Sequence, residues 1–275
     1  VLTVLLDAVG RQLMPDIYSG YPFDQFIARI GGSLLLLNEV WLMSVMSFSN
    51  LPFWSICVEF WYYAAFALVV FLPRRKGWVA AALLALALGP KFILLAPIWC
   101  SGVVLYRWRW PRRLGQWPSL ALVALSLVGI WQFHAWGIDA WSCEWLKATL
   151  GQDRAQYLGF ANYVVGDYLL ALLVCMNFAG MRNLLAGAGG WLIAVERPVR
   201  LLAACTFTLY LLHMPLFLMW SAVVGGNPAQ PWYWLTVTGL MLASVVLISR
   251  QTEAQRYRLR GWLLGLFERR GVAMA

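Results

Sequence analysis

The chain has 275 residues, of which 62% are hydrophobic and 12% charged, with 17 Trp, a mean hydropathy of +0.69 and a net charge of +9. So apolar a composition excludes an ordinary soluble domain, and because the basic residues sit in short loops between apolar runs, the charge marks membrane topology and not nucleic-acid binding. The runs are long and alternate weakly, which favours helices that satisfy their own backbone in lipid over barrel strands. The expected fold class is therefore all-α, a polytopic transmembrane helix bundle.

The opening run VLTVLLDAVG is too short to cross about 30 Å of hydrocarbon at about 1.5 Å per residue, and reads as the outward end of a helix. With Val at position 1 and no charged leader before the apolar start, the chain is expected to lack its beginning. Residues 11 to about 32 form a polar loop, and the apolar stretch 33–47 is expected to lie at the interface or to dip partway into the membrane. Spans follow at 53–72, 77–89, 92–106, 117–134, 158–179, 201–223 and 231–249, making seven and the end of an eighth. Gly89-Pro90 separates the second and third of these as a tight hairpin.

Cytoplasmic loops carry excess Lys and Arg. If residue 10 is outside and the chain alternates, the inner segments 73–76, 107–113, 181–200 and 250–275 hold sixteen of the 21 basic residues. Arg11, Arg29, Lys91, Lys147 and Arg154 are left for the outer side, so the carboxyl end is expected in the cytoplasm. Residues 1–250 form the membrane domain, and 251–275 a basic tail whose WLLGLF segment (262–267) reads as an interfacial helix on anionic lipid, with a frayed solvated tail as the alternative. The five Cys show no paired spacing, and Cys57, Cys100, Cys175 and Cys205 fall in or beside spans as small packing residues.

Polar groups at membrane depth are costly and informative. Glu59 lies in NLPFWSICVEFWYY (50–63), where Ser55 is four residues earlier on the same helix face and Tyr62 or Tyr63 shares it. Asn50 and Pro52 shape the entry, and Trp54 and Trp61 suit the interface. His213 sits in TFTLYLLHMPLF (206–217), one turn after Tyr210, with Pro215 loosening the helix behind it. Each of Glu59 and His213 is either a hydrogen-bonded or paired packing residue or part of a polar cavity. Asp167 is a third candidate, as a partner for a buried Arg, and His134 belongs with the aromatic belt of Trp131 and Trp136. No GxSxG, HExxH, Walker loop or GxGxxG appears in its proper context, and the Cys and His spacings do not suggest zinc, so no metal site and no bound cofactor is expected.

The string 50–63 resembles the "N-x-P-x-W-S-[LI]-x-V-E-[FQ]-x-[FY]-Y" segment of the bacterial membrane acyltransferase 3 family. The string 206–217 resembles that family's late "S-x-x-L-Y-L-[LI]-H-x-P" segment, with Thr206 for the common Ser, and Cys57 stands where Ser is frequent. ISRQTEAQRYRLRGWL (248–263) is similar to the closing stretch. The resemblance implies about ten helices in the bacterial inner membrane, with an acyl group, typically acetyl, passed from cytoplasmic acetyl-CoA or another acyl-CoA to a hydroxyl of a surface carbohydrate or glycolipid. It implies that the catalytic His and its Arg partner lie on a first helix preceding Val1, so that this chain alone is not expected to catalyse transfer. Glu59 then orients the base or an Arg, His213 and Tyr210 line the acceptor or acyl path, and Asn50, Trp54 and Ser55 belong to the substrate site. The expected partners are membrane lipids, the acceptor and acyl-CoA. Two other readings stand beside this one: a transporter or flippase using Glu and His in a proton relay, and an inactive truncated copy.

Overall fold

Apolar runs become helices here, several of them bounded by Gly or Pro, while Pro97, Pro198 and Pro215 are carried inside theirs. The computed structural model describes residues 1–108, 114–186 and 189–252, with 255, 258, 260–262, 264 and 265 beyond them. Most of the basic run 107–113 and of the tail, including much of the expected interfacial helix at 262–267, lies outside the described residues. Among the described residues twelve α-helices occur in the order α1 (Leu2–Leu13), α2 (Phe26–Leu35), α3 (Phe53–Phe71), α4 (Arg74–Leu88), α5 (Pro90–Arg107), α6 (Gln116–Ala135), α7 (Ile138–Leu150), α8 (Gln152–Ala155), α9 (Val164–Leu185), α10 (Gly189–Ala203), α11 (Thr206–Val224) and α12 (Pro231–Thr252). Short 3-10 turns cover Pro15–Tyr18 and Gln156–Tyr163, and no strand occurs among the described residues.

Among the described residues five helical segments are long and apolar enough to cross a membrane: α3, α6, Gln152–Leu185 with α9 as its regular part, α11 and α12. The hairpin expected at Gly89-Pro90 is present as α4 and α5. Gly89 takes φ +96 between them and Pro90 opens α5, where its missing N–H costs nothing. At 15 residues α4 reaches about 22 Å, short of a full crossing. The span expected at 158–179 is shifted: Gly159 adopts φ 52 and ψ −124, the helix breaks there, and α9 runs from Val164 to Leu185. The loops at 135–157 and 181–200 also contain helix, α7 and α10.

The chain forms two units. One comprises residues 1–30, 46–53 and 195–275, the other 31–45 and 54–194.

In the first unit α11 packs on α1 and α12 through Leu212, Leu216, Met241 and Val245, and Trp220 Nε1 donates to Ser244 Oγ at 2.9 Å. Asp7 of α1 is fully buried and accepts from the backbone N of Ser49 at 2.9 Å and from its hydroxyl. Tyr18, also fully buried, lays its hydroxyl against Gly10, where a Cβ would stand 2.1 Å away. The Arg11 guanidinium lies over the Tyr18 and Phe23 rings and donates to the Tyr21 carbonyl at 2.6 Å. Burial, reinforced by the Asp7 charge, pushes the Tyr18 phenol well above its ordinary value.

In the second unit α5 and α9 run parallel. Tyr168 Oη donates to the Leu94 carbonyl at 2.5 Å, Cys175 meets Ser101 at 3.5 Å, and Arg182 Nη1 donates to the Leu105 carbonyl at 3.3 Å. The loop-charge pattern expects the same direction for both helices. Against α9, α6 runs antiparallel, with Asn177 Nδ2 on Ser126 Oγ at 3.0 Å and Gly180 pressed on the Ser119 backbone. Small residues at such crossings let helices approach closely.

The stretch expected at the interface, 33–47, is not one element. α2 ends at Leu35, and the chain then turns through an irregular loop in which Leu36 and Trp41 take positive φ. Its backbone is anchored by Trp41 N on the Leu88 carbonyl at 2.7 Å and by Trp61 Nε1 on the Leu36 carbonyl at 2.8 Å. Lys91, read from the sequence as an outer-loop charge, is only 1% exposed: its Nζ lies 2.7 Å from Glu39 Oε2 and also donates to the Met43 carbonyl. Glu39 Oε1 accepts from Ser44 Oγ at 2.8 Å, and Asn38 Nδ2 donates to the Val45 carbonyl at 2.7 Å. A buried pair survives only when its remaining donors and acceptors are met in this way.

Candidate functional site

Pro52 cannot continue a helix from its amino side, so α3 starts directly after it, and Ser55 and Glu59 fall one turn apart. Both open into a groove of about 590 Å³ formed by α3, α5 and α9 within the second unit. Its lining includes Trp54, Ser55, Glu59, Tyr62, Trp99 and Asp167, and the remainder is mostly apolar, with Ser101 and Cys175 among it. Trp54 is fixed by stacking on Phe160, with centroids 4.6 Å apart and planes 11° from parallel. The two tyrosines after Glu59 divide the work: Tyr63 Oη donates to Glu59 Oε1 at 3.0 Å, whereas Tyr62 is buried and donates to the Phe92 carbonyl at 2.7 Å. Glu59 is thus an exposed carboxylate in a cavity with one tyrosine donor, and no Arg pairs with it among the described residues.

Asp167, expected to pair with a buried Arg, lines the same groove from the first turn of α9 and has no ion pair or hydrogen-bond partner among the described residues. A second, more apolar cavity of about 680 Å³ is formed by α5, α6 and α9 and shares Ile98, Ser101, Leu105, Ala171 and Cys175 with the first.

The other predicted residues belong to the first unit. Asn50 is 5% exposed, in a turn where Ser47 and Asn50 pair, and its Nδ2 reaches Thr3 Oγ1 at 3.5 Å. Tyr210 Oη donates to the Pro52 carbonyl at 3.3 Å, which ties α11 to the residue preceding α3. His213 directs Nδ1 at the carbonyls of Leu209, 3.1 Å, and Tyr210, 2.8 Å. Carbonyls only accept, so Nδ1 carries the proton and Nε2 is the basic nitrogen. Of the six predicted residues, Trp54, Ser55 and Glu59 therefore share one cavity, and Asn50, Tyr210 and His213 lie in the other unit. His134 is exposed at the end of α6. Among the described residues no three His, Cys, Asp or Glu side chains gather as a metal site.

Sequence reasoning missed Asp7, Asn38, Glu39, Ser49 and Lys91. Two of these had a signal: Asp7 interrupts an apolar run, and Lys91 sits directly after a Gly-Pro turn between two apolar helices. Their partners, 42 and 52 residues away, had none.

A polytopic helical membrane protein with a carboxylate-bearing groove is the class that fold and site define. The model of the acyltransferase domain of the acyltransferase 3 family matches residues 8–250, and the chain belongs to that family. No curated protein and no solved structure matches it.

Proposed function

We infer that the protein acts as a membrane O-acyltransferase, moving an acyl group, most simply acetyl, from a cytoplasmic acyl-CoA to a hydroxyl of a surface carbohydrate or glycolipid. The bacterial inner membrane is its setting, with the carboxyl end in the cytoplasm. The observation that carries this reading is Glu59: within a chain of an acyltransferase family, the motif glutamate faces an open groove instead of a packed helix interface.

In the reaction the acceptor hydroxyl oxygen attacks the thioester carbonyl carbon, the C–S bond breaks with its electron pair on sulfur, and the hydroxyl proton, taken by a base, ends on the departing thiolate. The protein must hold a base within about 2.6–3.2 Å of the hydroxyl and supply donors to the developing oxyanion. Glu59, steadied by Tyr63, suits the task of orienting such a base or a cationic donor, and His213 offers Nε2 as an acceptor. Mass spectrometry of surface glycans from a deletion strain tests the reading. Loss of acyl mass with the polymer retained is expected, and loss of the polymer itself points to a flippase.

A further inference from the structure

The groove that holds Glu59 is not uniform along its length. Val58 packs in one core with Leu95 and Val164, which sets this level of α3 beside the first turn of α9, where Asp167 lies. Both carboxylates therefore stand toward the end marked by the Leu94–Tyr168 contact. Toward the Leu105–Arg182 contact, the groove is lined mainly by apolar side chains such as Leu105, Val174 and Phe178, and the Ser101 hydroxyl there is already donated to the Ile98 carbonyl at 2.6 Å.

Asp167 is the unexplained member. A carboxylate in an apolar wall at membrane depth is costly unless something supplies donors to it, and no described residue does. Ionised carboxylates only accept hydrogen bonds, so the missing complement is a donor-rich group. A sugar head, with several hydroxyls, fits between two carboxylates and the Trp54 and Trp99 rings, and the long aliphatic half of the groove calls for hydrocarbon.

We propose that the groove seats the acceptor as a glycolipid, its hydroxyls donating to Asp167 and Glu59 and its hydrocarbon chain lying along Ile98, Leu105, Ala171 and Phe178. The word acceptor rests on the acyltransferase reading; the glycolipid seat does not.

The test uses the protein in nanodiscs and a photoreactive dodecyl maltoside carrying a diazirine in its chain. Label is expected on peptides containing Leu105 and Phe178, competed by dodecyl maltoside but not by maltose or dodecylphosphocholine. Asp167→Asn lowers labelling about tenfold or more, as loss of hydrogen bonds to a charged group should, whereas Asp153→Asn on the surface does not. Ala171→Trp, which fills the chain half and leaves both carboxylates in place, abolishes labelling and guards against an ill-folded Asp167 variant. Undiminished labelling in either groove variant overturns the proposal. Equal competition by dodecylphosphocholine, meaning an ordinary lipid-facing surface, or competition by maltose alone, meaning a soluble-sugar site, overturns it as well. If labelling behaves as expected but the deletion strain keeps its acyl mass, the enzyme reading fails and the seat stands. If the acyl mass is lost but labelling ignores Asp167, the reverse holds.

Discussion

Lys91 Nζ and Glu39 Oε2 lie 2.7 Å apart with both side chains almost fully buried, joining the start of α5 to the irregular loop that follows α2. Ser44 donates to the other carboxylate oxygen, and the Met43 carbonyl accepts a second proton of Lys91. Removing one member leaves the other charge buried and unmatched. Glu39→Gln or Lys91→Met should each cost about 3–5 kcal/mol, and the double variant Glu39→Met/Lys91→Met should recover part of that loss. Thermal unfolding of the detergent-solubilised protein reads both effects, and additive losses in the double variant would show that the pair is not coupled.

In the first unit Asp7 and Ser49 make a comparable anchor by hydrogen bonds, without an ion pair among the described residues. Ser49→Ala removes the hydroxyl donor and keeps the backbone one, so it should destabilise by about 1–3 kcal/mol, with Asp7→Ala costing more. Chemical unfolding in mixed micelles, compared between the two variants, checks the order.

How much of this was legible in the sequence depends on how local the cause is. The α4–α5 hairpin follows from Gly89-Pro90, and α11 from its apolar run up to Gly225, because backbone chemistry decides both within a few residues. The Ser55–Glu59 face was also legible, since helical spacing puts those two together wherever α3 starts. The loop at 36–45 was not: its shape depends on Lys91, Leu88 and Trp61, which are distant in sequence, and on positive φ at Leu36 and Trp41, which no propensity favours. The break at Gly159 escaped for a related reason, as an isolated Gly in an apolar run reads equally well as a tolerated helical residue.

The α6–α9 crossing depends on Gly180, where a Cβ would stand 2.5 Å from the Ser119 carbonyl oxygen. Backbone cannot move aside as a side-chain tip can. Gly180→Ala should therefore cost about 1–3 kcal/mol despite its better helix propensity, whereas Gly102→Ala, with open space around its Cβ position, should be neutral or stabilising. Melting temperatures of the two variants give the contrast.

Tyr18 gives an alkaline limit. Its folded phenol titrates well above the ordinary value of 10.0, so between those two points the unfolded chain loses a proton that the folded one keeps. Stability from this group is complete below pH 10 and falls as the pH rises. Tyr18→Phe should flatten the decline of melting temperature above pH 10, and an unchanged slope would mean that the phenol is not the group responsible.

The central claim, that Glu59 serves transfer from within the groove, is tested most directly by transfer of labelled acetyl from acetyl-CoA to the native glycan, in cells carrying wild-type or Glu59→Gln protein at equal, folded levels. The account predicts that transfer falls at least about a hundredfold in Glu59→Gln, with melting temperature unchanged because Glu59 is exposed and a Gln carbonyl can still accept from Tyr63. Full transfer by a folded Glu59→Gln protein would contradict it.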